Sequence, residues 1–394
     1  MAVGSAGKIR AMKNTHASLR AGKQLKNQSL TITALTTLFS AFALLSAFGQ
    51  STVSVYSTGL NNPRGLKFGP DGNLYVAEGG FGGTTSTVGQ CEQSPGGPAG
   101  VGPYTGDPVA ARISKIIPSG AHGFRTTILD NLPSSQTSPE SGSLISGVAD
   151  IAFVGNTLYA LLNGAGCSHG VLNHPNGVIR LNPAGNRTVI ADLSAFLAAH
   201  PVAHPDPDDF EPDGTWYSMV AVGGDLYAVE PNHQELDKIT TAGVVTRVVD
   251  FSVSFPAPAN WIGPTALTFH NGNFYVGTLN PFPIVQGSSK IFRVTPTGQV
   301  TQIGTGFTTI VGLAFGPDGH LYVLENTTGN NQFPTPGTGK ITSIGAGGVR
   351  TVIASGLFLP TAMTFGPDGA IYVSNKGFGP PPNGLGQILR ITVP

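Results

Sequence analysis

The sequence predicts an all-β chain folded as a six-bladed β-propeller whose ring is closed by an N-terminal strand at 52–58. Three observations carry this: a strand–turn–strand motif present six times, a second hairpin after each copy, and an outer strand missing at one end of the chain and found at the other. The copies occupy 65–76, 150–160, 218–228, 266–276, 312–323 and 362–373, and each holds a tyrosine at the same place (Tyr75, Tyr159, Tyr227, Tyr275, Tyr322 and Tyr372). A self-similar unit of this length signals a repeat architecture in which each unit buries its apolar faces on its neighbours.

Turn chemistry makes each copy a hairpin. Copies one, five and six turn at Gly-Pro-Asp-Gly, where proline presets the first turn position, aspartate bonds locally and glycine takes the left-handed position. The other three use Gly-Asn, Gly-Gly and Asn-Gly, which suit two-residue primed turns. Apolar residues on both sides of these strands fit sheets stacked face to face.

The second hairpins pair 113–120 with 126–129, 177–185 with 188–190, 236–240 with 246–249, 291–295 with 300–303, and 341–344 with 351–353. The sixth stops at 388–392 with no outer strand left. The segment 53–60 (VSVYSTGL) matches the close of the fifth unit, 351–357 (TVIASGL), so it completes the last blade and removes the open edge of a linear array.

Composition agrees. Of 394 residues only 11% are charged, while 55 are glycine and 31 proline, a profile of short strands and tight turns. The formal charge of zero is unevenly spread. Lys8, Arg10, Lys13, Arg20, Lys23 and Lys26 stand before an apolar run at 30–48, with no acid in the first 49 residues. This predicts a signal peptide over 1–49, cleaved before Gln50, and a secreted or periplasmic propeller over 50–394; the alternative is an uncleaved signal anchor. The mature chain keeps 15 basic against 21 acidic side chains, which gives no footprint for nucleic acid. After cleavage nothing holds it to a membrane, and a monomer is expected.

Strand direction places the long connections (79–110, 133–147, 163–176, 199–215, 252–262, 278–289, 326–339 and 375–386) on one face, where binding sites usually sit on a rigid scaffold. Cys91 and Cys167, the only cysteines, fall in such loops of adjacent blades and are the disulfide candidate.

Residues 62–78 (NPRGLKFGPDGNLYVAE) resemble the opening blade of the ScyD/ScyE family, and 213–222 through 226–233 resemble further segments of it. The resemblance extends over essentially all of 50–394. It implies an exported six-bladed propeller related to NHL-repeat and gluconolactonase-like proteins, and names no reaction.

Catalytic constellations are sparse. A gluconolactonase-type metal site needs several oxygen ligands at the starts of the inner strands. Those positions hold Arg64/Gly65, Ala149/Asp150, Tyr217/Ser218, Thr265/Ala266, Val311/Gly312 and Thr361/Ala362, with one carboxylate among them. A quinone-dependent sugar dehydrogenase needs a histidine base and several cations, and Arg64 stands alone. The stretch 200–214 (HPVAHPDPDDFEPDG) offers acids for Ca²⁺, but its EF-hand-like start meets Val220 where a bidentate glutamate belongs, so a solvated acidic loop is expected.

Glu78, Glu230, Glu325 and Asn375 each follow the motif tyrosine by three residues and predict a polar ring at the ends of the second strands. With Arg64, Asp150, Asn232 and His233 they make the candidate ligand-binding set. No catalytic residue and no cofactor is assigned, Ca²⁺ or another divalent ion being the one the acids could take. The reading is a non-catalytic module binding a small molecule, glycan or protein on the long-loop face. A lactonase-like metal hydrolase at the channel mouth is the alternative.

Overall fold

The computed structural model describes residues 51–393 apart from 97–99, 183–184, 207–210, 258, 281 and 383. The expected signal segment therefore lies outside the described residues. Six antiparallel sheets follow one another along the chain, and the first strands of neighbouring blades touch all the way round, from Pro63–Phe68 through Val148–Val154, Ser218–Val222, Gly263–His270 and Ile310–Phe315 to Ala362–Phe365. The fold is a six-bladed β-propeller.

The ring closes as the repeat pattern predicts. Val53–Asn61 forms the outer strand of blade six, antiparallel to Leu385–Ile391, with Val53 opposite Ile391 and Asn61 opposite Leu385. The strand runs three residues beyond the expected 58, because two bulges let it curve while pairing continues up to Asn61. Blade one also departs from expectation. Its outer hairpin consists of two 15-residue strands, Thr105–Ser119 and His122–Gln136, and Ile145–Ser146 adds a fifth strand. The ends of two segments read as loops are thus strand, carried past a bulge between Asp107 and Ala111. A helix, Leu193–Ala199, lies between blades two and three; Asp192 caps it by accepting the Ala195 N–H at 2.8 Å, and Leu193 and Leu197 bury one face.

The motif tyrosines explain how blades adhere. Tyr75 meets Phe153 of the next blade edge-on at 5.1 Å, Tyr275 meets Phe315 at 4.8 Å, Tyr322 meets Phe365 at 4.9 Å, and Tyr372 crosses the closure to Phe68 at 5.1 Å. Edge-to-face pairs stabilise by about 0.5–1.5 kcal/mol each beyond the area they bury. Where the turn is Gly-Pro-Asp-Gly, the same tyrosine donates its hydroxyl to the turn aspartate: Tyr75 to Asp71 at 3.0 Å, Tyr322 to Asp318 at 2.9 Å and Tyr372 to Asp368 at 3.1 Å. One residue type therefore serves both the turn and the blade interface. Between blades two and three the motif tyrosine Tyr159 shares a buried cluster with Leu161, Val178, Met219, Leu226 and the fully buried Trp216.

Candidate functional site

Strand ends decide what faces the mouth. Glu78, Glu325 and Asn375 close the second strands of blades one, five and six, and each accepts the backbone N–H of a residue seventeen positions earlier, where the chain turns into its blade: Asn61 at 2.6 Å, Thr308 at 2.8 Å and Phe358 at 2.9 Å. Glu230 does the same for Thr215 at 2.9 Å, and in blade two Asn163 accepts from Gly147 at 2.9 Å. Cations across the sheet neutralise two of the carboxylates, Arg112 at 2.8 Å from Glu78 and Lys340 at 3.0 Å from Glu325. All five acceptors are buried. Burying a carboxylate is costly unless it is paired and hydrogen-bonded; Glu78 and Glu325 are both, and Glu230 accepts the N–H groups of Thr215 and His233.

Inside this frame lies a cavity of about 810 Å³ to which all six blades contribute. Arg64, Tyr217 and Thr265 reach it from the starts of inner strands, and Asn163 and Asn232 from just past second strands. Loops bring Tyr104, Trp261, Phe282, Phe333 and Phe378. Phe282 and Phe333 stack edge-on at 5.3 Å, and their two loops pair where Ile284 meets Asn331.

Arg64 is 6% exposed. Its guanidinium donates to the Ile145 carbonyl and lies 5.9 Å from the Tyr217 ring centre and 5.4 Å from that of Phe378. Among the described residues no carboxylate stands within 4.0 Å of it. Burial lowers its pKa and Tyr217 opposes the shift; a guanidinium is basic enough to stay charged in a protein interior.

The wall beside blades one to three is cross-braced. Cys91 and Cys167 form a disulfide with a Cα–Cα distance of 6.3 Å. The next residue, Ser168, donates its N–H and its hydroxyl to Asp213, both at 2.6 Å. His169, fully buried, has Ser135 Oγ at 2.8 Å from Nδ1 and Glu211 Oε2 at 3.0 Å from Nε2, and Tyr104 donates to the same glutamate. Burial first, and then Glu211, push the Tyr104 hydroxyl far above its ordinary pKa. The expected solvated acidic loop needs correction at two positions: Glu211 is buried and Asp213 is a bridge to Ser168, because each meets donors from the neighbouring loop. Asp208 and Asp209 lie outside the described residues.

Of the candidate set, Arg64 and Asn232 line the cavity, Asn232 also accepting the Trp261 indole N–H at 3.0 Å through its carbonyl. Glu78, Glu230 and Glu325 are the strand-end acceptors, and His233 lies 3.3 Å from Glu230 through Nδ1. Asp150 sits beneath the backbone of Gly65, where a Cβ would come within 1.8 Å of its Oδ1, and accepts the N–H groups of Ile151 and Met219, each at 2.8 Å. Burial raises its pKa, with Lys67 the main opposing influence. The structure thus separates these residues into cavity lining and frame. The aromatic wall escaped the sequence reading. Its signal was available in the single Trp or Phe residues punctuating otherwise small, Gly/Pro-rich loops, as at Phe282, Phe333 and Phe378.

No family model and no curated protein matches the chain. Solved structures do, at low identity. A Thermus thermophilus protein assigned as an oxidoreductase (glucose dehydrogenase) is 17% identical, with 87% of this chain and 100% of that one covered and a TM-score of 0.51. A protein of unknown function from Bacteroides thetaiotaomicron is 11% identical over 87% and 76%, TM-score 0.53. A Xanthomonas campestris gluconolactonase is 9% identical over 88% and 91%, TM-score 0.50. These likenesses show the six-bladed propeller fold and no more. Among the described residues no group of three or more His, Cys, Asp or Glu side chains is arranged to hold a metal ion.

Proposed function

We propose that this is an exported ScyD/ScyE-type propeller acting as a non-catalytic binding module, with the mouth cavity as the site of a small, largely apolar molecule. The carrying observation is the cavity itself, about 810 Å³ and walled by aromatic side chains from separate loops. That volume falls in the range of roughly 300–1,000 Å³ typical of small-molecule sites. The two segments that carry the family resemblance supply Arg64, Thr215, Tyr217, Pro231 and Asn232 to its lining. The cross-braced loops support the reading too, since a pocket held open before binding spends less affinity on ordering.

The uncharged fluorophore N-phenyl-1-naphthylamine tests it. One equivalent should bind with enhanced emission, and Leu144→Trp, which fills the cavity from a loop, should weaken binding at least about tenfold at an unchanged unfolding midpoint. No enhancement, or equal binding by both proteins, overturns the proposal.

A further inference from the structure

We infer that the ligand of this cavity is an aromatic monocarboxylate, its anionic group held by Arg64 and its ring by the surrounding aromatic side chains. The inference rests on the binding reading above and gives it a chemical class. Arg64 is a buried cation without a carboxylate partner among the described residues, in a wall that is otherwise mainly apolar. Most buried charges are paired, because an isolated one forfeits its hydration with nothing in return. The one hydrogen bond its side chain makes, to the Ile145 carbonyl, leaves most of a guanidinium's donors unused. A planar carboxylate completes that set in the bidentate geometry a guanidinium favours.

Charge count sets the valence. One cation faces the ligand, whereas Glu140, Asp206 and Glu211 also line the cavity. Glu211 is already engaged by Tyr104 and His169. A monoanion is neutralised by Arg64; a dianion such as a phosphate monoester carries a second charge toward these acids in a site of low dielectric. Ring recognition follows from Tyr217 and Phe378 beside the guanidinium and from the Phe282–Phe333 pair. An aryl group conjugated to the carboxylate can lie against these rings while its anion meets Arg64.

Titration calorimetry with naphthalene-2-carboxylate, naphthalene-2-carboxamide and 2-naphthyl phosphate tests this. The carboxylate should bind the wild-type protein at least about tenfold more tightly than either of the others. In Arg64→Gln the acid and amide should bind alike, and Arg64→Lys should keep part of the preference. Equal affinity for acid and amide in the wild-type protein overturns the inference, and so does a preference that survives Arg64→Gln. Tighter binding of the phosphate overturns the monoanion assignment. If Arg64→Gln does not fold, the wild-type series and Arg64→Lys decide. Should all three probes fail while N-phenyl-1-naphthylamine binds, the anion inference falls and the cavity reading stands; should that fluorophore fail as well, both fall.

Discussion

Glu325 accepts the backbone N–H of Thr308 at 2.8 Å, so a side chain ending the second strand of blade five holds the turn by which the chain enters that blade. Glu325 is 1% exposed and pairs with Lys340 at 3.0 Å. Glu325→Ala leaves a buried N–H without an acceptor and strands the lysine, at a cost of about 1–3 kcal/mol. Glu325→Gln keeps an acceptor and costs less. Urea unfolding checks both. N-phenyl-1-naphthylamine affinity should be unchanged in the glutamine variant, because Glu325 belongs to the frame rather than to the cavity lining.

How far the sequence speaks can be judged at the same residues. Repeat register showed that Glu78, Glu230, Glu325 and Asn375 are equivalent, because position within a hairpin is a local property. Their partners are not local in that sense. A chain fifteen or seventeen residues back passes over the strand end only once the hairpin is folded and stacked, so a ring of ligand groups and a ring of backbone acceptors look alike before folding. Arg64 was singled out as the lone cation of the inner ring. The rings beside it, Tyr217 and Phe378, come from blades three and six, and no spacing rule connects them. The ring closure was legible for the opposite reason: a missing outer strand at 388–392 and a spare one at 53–60 are both properties of the repeat.

That closure is open to a direct test. Tyr56 is 6% exposed in the N-terminal strand and meets Tyr372 edge-on at 5.0 Å. Tyr56→Ala removes this contact and leaves a cavity, costing about 3 kcal/mol. Deleting 51–58 should do more, baring the edge of Leu385–Ile391 and producing a protein that self-associates through it. Unfolding midpoints and light scattering check the pair; a monomeric deletion variant of wild-type stability would show that the strand does not latch the ring.

The disulfide makes a different demand. Cys91 and Cys167 are 76 residues apart, and chain-entropy arguments allow a stabilisation of roughly 4 kcal/mol for a loop of that length. The measured loss in a Cys91→Ser/Cys167→Ser variant should be smaller, since the ring already constrains both blades. Its effect should be local instead. Faster amide exchange is expected around Thr87, whose hydroxyl donates to the Cys167 carbonyl across these loops, and around Gly170, whose N–H bonds to the same carbonyl, with the blade cores unchanged. Equal protection in both proteins would overturn this.

Blade three carries a buried acid pair that ties stability to pH. Glu235 and Asp237 are fully buried near one another with Glu230 close by, and Arg247 is the cation facing them, bonded to Glu235. Burial first, and for Glu235 then the charge of Asp237, push Glu235 up to about 9; burial pushes Asp237 up to about 7, although the Trp216 indole donates to it at 3.0 Å. Both folded values lie above the ordinary carboxylate range, so the folded chain holds more protons than the unfolded one between about pH 4 and these values. Stability from this pair is therefore complete at the acid end of that window and is lost as pH rises through neutrality, by an amount on the order of a few kcal/mol. Asp237→Asn mimics the protonated acid and keeps an acceptor for Trp216. It should flatten the decline and make the variant more stable than the wild-type protein at about pH 8. Urea unfolding from about pH 5 to about pH 9 measures both curves, and parallel slopes would show that Asp237 does not set the dependence.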